Sequence, residues 1–205
     1  MPIILVRHGE SESNVSDLTG GWTDTSLTGL GFRQAEATAR RLKGMLADQT
    51  CRIVSSDLRR AMQTAEVIGY ALGVEPTPEP GLREINNGAA TGKTREEVKH
   101  LFNKPTRPLI EWVSYPGAEN WMQLHRRVAA AMDRIYKDIE ENLILVGHGG
   151  SLHHVIFWWL KLPTNIIEDI NFGLDNASIT TLSLSALDQR LLERLNDTGH
   201  LRELY

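Results

Sequence analysis

Short apolar runs alternate with longer stretches of helical periodicity along most of this chain. Ile3–Val6, Cys51–Val54 and Leu143–Val146 are brief, continuous and flanked by polar residues, the pattern of buried strands. Between them, Ala35, Ala39, Leu42 and Leu46 fall on one face of a predicted helix that Thr28 would cap. A second helix is predicted from the cap chemistry of Ser55-Ser56-Asp57 to about Leu72, with Gly73 as its stop. Pro76, Pro78 and Pro80 force an extended connection. Arg95–Phe102 reads as a short helix, and the proline-interrupted Asn103–Ala118 as an irregular lid. From Trp121, the residues Leu124, Val128, Ala131, Ile135 and Ile139 mark a long amphipathic helix. Another helix runs from about Ser151 to Leu160, and Ile179–Leu184 with Leu191–Leu195 read as a late hairpin. Strand–helix alternation predicts an α/β sandwich around a mostly parallel sheet, with no linker dividing it.

Bulk composition narrows the function classes. The 205 residues suffice for one large domain with a full core. A formal charge of -4 argues against a general binder of nucleic acid or of anionic membranes. It leaves room for a small anionic substrate, because local cations dominate a cleft while distant charges are screened over about 8–10 Å. The lone Cys51 precludes an intrachain disulfide and fits a reducing cytoplasm. The start of the chain carries neither a basic region nor a long apolar run, so no signal peptide is expected. Val155–Leu162, the most apolar patch, is too short to span a bilayer.

Three of the predicted strands end in chemically capable clusters: Arg7-His8-Gly9-Glu10, Ser55 through Arg60, and Gly147-His148-Gly149-Gly150. In a parallel sheet those ends share one edge and can converge. Arginine beside histidine sets a permanent cation next to a nucleophile that can be neutral at pH 7, which suits chemistry on phosphate. Two other readings bear on the same residues. A metal site would draw on His148, His153 and His154, but His148 and His153 are five apart and no carboxylate motif accompanies them. Packing roles for His153 and His154 are therefore favoured. Asn87–Thr94 looks superficially like a phosphate-binding loop, yet it lacks glycine at Asn87 and follows Leu82–Asn86, a poor core strand.

Taken together, the motifs resemble the histidine phosphatase superfamily, also called phosphoglycerate-mutase-like, over nearly the whole chain. Arg7-His8-Gly9-Glu10-Ser11 with Asn14 is similar to its phosphohistidine motif. Gly21-Trp22, Asp24, Leu27-Thr28, Gly31 and Gln34-Ala35 follow at family spacing. Further matches are Ser55–Ala61 with Gln63-Thr64-Ala65, then Leu82-Arg83-Glu84 with Gly88 and Gly92. Pro116–Glu119 with Arg127-Val128, Gly147-His148-Gly149 and Asn176-Ala177-Ser178 complete the series. The resemblance implies a three-layer α/β/α fold in a single domain, 1–205, with a small lid at about 95–118. It implies that His8 attacks phosphorus and that Arg7, Arg60 and His148 bind the phosphoryl oxygens. Asn14, Ser11, Gly149 and the Gly21 backbone would assist in binding. Glu84 would protonate the leaving oxygen and then activate water. No metal and no cofactor are implied.

The surroundings favour a phosphatase over a mutase. Ile85 and Asn87 stand where mutases of this family carry arginine and tyrosine, and Gly150 where they carry asparagine. The short Arg95–Ala118 region lacks their Arg-Arg insertion, although Gly88-Ala89 is mutase-like. The expectation is a metal-independent, cytoplasmic phosphomonoesterase acting on a small phosphorylated metabolite. The alternatives are a 2,3-bisphosphoglycerate-dependent phosphoglycerate mutase and a catalytically idle binding protein. No nucleic-acid or membrane partner is expected, and a homodimer is suggested by the family alone. Lys104, Arg107, Trp112 and Tyr115 stand in the expected lid, and the place of His200 is open. Glu10 reads equally well as structural.

Overall fold

The computed structural model describes residues 2–47, 49–137 and 139–205. Its elements are β1 (Ile3–Arg7), α1 (Glu12–Val15), α2 (Gly29–Leu46), β2 (Cys51–Ser55), α3 (Arg59–Leu72), β3 (Thr77–Pro78), α4 (Arg95–Val98), α5 (Trp121–Ile135), β4 (Asn142–Gly147), α6 (Gly149–Leu160), β5 (Ile179–Leu184) and β6 (Arg190–Asp197), joined by loops and 3-10 turns. The strands form one sheet in the order β3-β2-β4-β1-β5-β6. β3, β2, β4 and β1 run parallel, while β5 is antiparallel to both of its neighbours, β1 and β6.

Alternation along the central strands makes the three layers. Ile3 and Leu5 of β1, with Leu143 and Leu145 of β4, pack against α5 and α6 through Leu124, Val128, Leu152 and Trp159. The intervening Ile4, Val6, Ile144 and Val146 pack on the other face against Leu42 of α2 and Ile68 of α3. Both faces are covered, so the strands are continuously apolar, as read from the sequence.

Several boundaries differ from the sequence reading. Thr28 does cap α2, accepting the Gly31 N–H at 3.1 Å, and Gly73 ends α3 in the left-handed region at φ +70. The expected cap at Ser55-Ser56-Asp57 does not form. α3 begins at Arg59, whose N–H donates to Asp24 from the loop before α2, at 2.7 Å. Ser56 and Asp57 are engaged elsewhere, with His148 and Arg83. The helix begun at Trp121 ends at Ile135, although Ile139 still packs on the core (Asp138 lies outside the described residues). α6 starts at Gly149 rather than Ser151, with His148 as its N-cap residue. The Asn87–Thr94 stretch is a 3-10 turn at Gly88–Ala90 with no strand leading into it.

Candidate active site

The carboxyl ends of β1, β2 and β4 lie side by side, and the three polar clusters meet there. His8 follows β1 and continues its pairing, with its N–H on the Gly147 carbonyl at 3.0 Å. The residue is 3% exposed. Nδ1 lies 2.7 Å from the Gly9 carbonyl, which can only accept, so Nδ1 carries the proton. Nε2 therefore keeps its lone pair, and Arg60 Nε donates to it at 3.2 Å. Burial, then the charges of Arg60 and Arg7, hold His8 well below the usual histidine range, against the opposing pull of the Gly9 carbonyl. The imidazole is therefore neutral at pH 7.

Arg60 is fixed from the opposite side. Its Nη1 donates to the Thr23 carbonyl at 2.7 Å and its Nη2 to the Gly21 carbonyl at 2.8 Å. Gly21 has φ +68, and a Cβ there would stand 2.4 Å from the Ile85 carbonyl oxygen, so conformation and space both demand glycine. The Gly21 N–H has no partner among the described residues.

His148 faces His8 edge-on, with ring centroids 5.0 Å apart. Its Nε2 lies 2.8 Å from Ser56 Oγ. That hydroxyl accepts the Leu58 N–H, and among the described residues its own proton has His148 Nε2 as acceptor. The His148 proton then sits on Nδ1, a buried donor without a partner. Burial first, then Arg60, His8, Arg7 and Arg127, depress His148 well below the histidine range. Arg7 donates through Nη1 to the Leu174 carbonyl and leaves Nε buried without an acceptor. Its guanidinium lies beneath Gly149, where a Cβ would sit 3.9 Å from Cζ. Gly149 opens α6, whose N-terminal amides favour an anion.

Glu84 arrives on a loop instead of a strand end. Oε1 accepts the Ile85 N–H at 2.8 Å, and Oε2 accepts the Gly150 N–H at 2.9 Å. Its backbone is clamped too. The Glu84 carbonyl receives Trp22 Nε1 at 2.7 Å and Arg127 Nη2 at 3.0 Å, while Arg127 also reaches the Gly81 and Arg83 carbonyls. Glu119 holds Arg127 by a paired contact at 2.8 and 2.7 Å.

Of the expected site residues, His8, Arg7, Arg60, His148, Gly21 and Gly149 are gathered around one point, with Glu84 beside it at Gly150. Asn14 lies on the His8 side: Asn176 Nδ2 bridges the His8 carbonyl, at 3.1 Å, to Asn14 Oδ1, at 3.3 Å. Ser11 is differently placed. Its hydroxyl is fully buried and donates to Asn14 Oδ1 at 2.8 Å, so it orients Asn14 instead of presenting a free donor. Glu10 accepts from Thr28 Oγ1 at 2.6 Å, at the start of α2. His200 Nε2 shares a hydrogen bond with Thr38 Oγ1 of α2 at 3.0 Å. In the expected lid, Phe102 packs edge-on with Trp112 and Tyr115, and Arg107 pairs with Glu168 at 3.3 Å. Among the described residues no group of three His, Cys, Asp or Glu side chains has metal-holding geometry.

Sequence reasoning assigned no role to Ser56, Trp22, Arg127, Glu119 or Asn176. All five stand inside recognised motifs, and that is the one signal they carried. It missed the 167–174 segment outright, which walls a cavity next to Glu84 and has neither periodicity nor motif.

Residues 3–198 match the family described as the histidine phosphatase superfamily (branch 1). A putative phosphoserine phosphatase 2 from Hydrogenobacter thermophilus is 32% identical, with 98% of each chain covered. A probable phosphoglycerate mutase from Yersinia enterocolitica is 29% identical over 98% of this chain and 95% of its own. Among solved structures, a mycobacterial glucosyl-3-phosphoglycerate phosphatase in complex with VO3 superposes with a TM-score of 0.79 at 28% identity, covering 96% of this chain and 99% of its own.

Proposed function

Since the chain belongs to the histidine phosphatase superfamily, we propose that it hydrolyses phosphomonoesters of small metabolites through a phosphohistidine on His8. His8 Nε2 attacks phosphorus, and the leaving oxygen takes its bonding pair and a proton from Glu84. Water then attacks the phosphohistidine, Glu84 takes the water's proton, and Nε2 recovers its lone pair. Arg60 moves from Nε2 to the phosphoryl oxygens. Arg7 Nε and His148 Nδ1, both buried donors without acceptors, would bind those oxygens with Asn14 and the amides of Gly21 and Gly149. Cations already in place replace a metal ion.

The observation that carries this reading is the state of His8: neutral, with Nδ1 tied to a carbonyl and an unprotonated Nε2 whose lone pair meets only the Arg60 donor. The test is hydrolysis of an aryl phosphate in excess chelator, with an acid-labile, base-stable phosphoenzyme sought by quenching. Wild type should turn over and His8→Ala should not. Activity that survives His8→Ala, or that requires added metal, overturns the mechanism.

The Yersinia relative gives the mutase a hearing. Conversion of 2- to 3-phosphoglycerate that depends on the bisphosphate would promote it; phosphate release without conversion favours the phosphatase. Segment 95–118 is proposed as a cap within one domain. Pro116 accepts the Ala89 N–H beside the Glu84 loop, and Ile110 packs with Ile167 on the far wall. Among the described residues no helix is long and apolar enough to cross a membrane. The buried free thiol of Cys51 supports placing the enzyme in the cytoplasm. A homodimer remains a family-based proposal.

A further inference from the structure

A cavity of about 410 Å³ opens immediately beyond Glu84, Gly149 and Gly150. That volume lies in the range of pockets that hold drug-sized molecules. Glu84 delivers its proton to the leaving oxygen, so the cavity on its far side receives the leaving alcohol. This step rests on the phosphatase reading.

The walls are apolar and aromatic. Trp121 and Leu124 of α5 stand on one side, and Ile167, Ile170 and Phe172 on the other. At the floor, the His153 ring lies 5.6 Å from Phe172 and 4.9 Å from Phe157. His153 Nδ1 accepts the Phe172 N–H at 3.2 Å, so its proton is on Nε2, which bonds nothing among the described residues. His154, 2% exposed, makes no hydrogen bond among them either, and its Nδ1 is fully buried. Burial, then His125, pushes His153 down to about 4, and burial, then His153, His125 and Arg127, pushes His154 down to about 2. Both rings are neutral at pH 7. The remaining ionisable lining residues are Glu84, Glu168 and Asp169, all acids, and Glu168 already pairs with Arg107. Among the described residues no lysine or arginine lines the cavity.

We propose that this cavity selects phosphomonoesters of uncharged, ring-bearing alcohols and discriminates against those whose alcohol carries a carboxylate. Flat apolar walls match a ring face. Neutral imidazoles at the floor offer hydrogen bonds to a polar ring atom without attracting an anion. A carboxylate there would sit beside Asp169 and Glu168, and the nearby Arg107 is already paired with Glu168.

Binding to a His8→Ala variant reads the cavity apart from the chemistry. 2-Phenylethyl phosphate should bind at least tenfold more tightly than phosphoserine or 3-phosphoglycerate by calorimetry. All three have aliphatic leaving oxygens, so wild-type kcat/KM should follow the same order. Phe172→Ala should cost the ring-bearing ligand tenfold and the two carboxylates less than twofold. The exposed Asp169 allows a second variant without risk to the core. Asp169→Lys should improve 3-phosphoglycerate binding severalfold and leave 2-phenylethyl phosphate, whose alcohol is uncharged, within twofold. Tighter binding of either carboxylate than of 2-phenylethyl phosphate overturns the inference, as does an equal loss for all ligands in Phe172→Ala. Turnover that survives His8→Ala refutes the phosphohistidine mechanism instead, whatever the order of binding.

Discussion

Gly150 is where a single methyl group tests the position of the acid/base. A Cβ built on Gly150 would stand 2.2 Å from Glu84 Oε1, about 0.8 Å inside the 3.0 Å limit that real Cβ contacts respect. The neighbour is the tip of a side chain, so Gly150→Ala displaces the carboxylate and leaves the backbone in place. The shift also lengthens the 2.9 Å bond from the Gly150 N–H to Oε2. A misplacement near 1 Å costs about 10² in rate, and complete loss of a general acid/base about 10²–10⁴. Gly150→Ala should therefore lower kcat about 10²-fold on an alkyl phosphate, which needs the acid to expel its alcohol. On 4-nitrophenyl phosphate the first step needs little acid, while hydrolysis of phosphohistidine still needs the base. A burst of one nitrophenolate per site should appear, followed by slow turnover. Stability should move the other way, since alanine in a helix is favoured over glycine by about 0.5–1 kcal/mol. Rapid-quench kinetics beside thermal melts give both quantities. A kcat within threefold of wild type, or a loss that tracks a fall in Tm, would refute the placement of Glu84.

Other residues of the site make further tests. Arg60→Ala should cost roughly 10²–10³ in kcat if its guanidinium meets the transition state; a loss under tenfold argues against that contact. Ser56→Ala frees the His148 tautomer and should lower kcat about tenfold with little change in Tm, and Ser56→Thr, which keeps the hydroxyl, should recover most of the loss. Arg127→Ala removes three carbonyl contacts beneath Glu84, so it should lower kcat more than it raises KM; an unchanged kcat would show that Trp22 alone holds the loop. His153 also makes stability depend on pH. Its folded value of about 4 lies below the unfolded 6.5, so the unfolded chain takes up the proton first. Its contribution is complete above pH 6.5 and is lost as pH falls towards 4, on the order of 3 kcal/mol in all. His153→Gln should flatten the slope of unfolding free energy between pH 6.5 and 4, as read by urea titration at several pH values; an unchanged slope would contradict the burial of a neutral ring.

Fold and site were unequally legible. The buried strands could be read because a two-faced parallel sheet demands unbroken apolar runs, and Ile3–Val6 and Leu143–Val146 supply them. The cap of α3 could not be read, because Asp24 reaches it from a distant loop and releases Ser56 and Asp57 for other partners. The end of α5 was misjudged because Ile139 keeps helical spacing with the core without being helical. In the site, His8, Arg60 and His148 announced themselves by motif. Their supports, Ser56, Trp22, Arg127, Glu119 and Asn176, stand in motifs too, but their roles could not be read, since the partner of a side chain in three dimensions leaves no mark on its own sequence neighbours.

The sequence by itself determined which strands are buried, which ends carry histidine and arginine, and to which family the chain belongs. These are properties of local pattern and of residue order. Tertiary structure alone decided the proton position on His148, because Ser56 comes from a separate segment, whereas the His8 proton is set by the neighbouring Gly9 carbonyl. It also decided that the space beyond Glu84 is lined by aromatic and apolar side chains and, among the described residues, by no lysine or arginine. That space is bounded by α5, α6 and the 167–174 segment, and its character exists only once those elements have packed together.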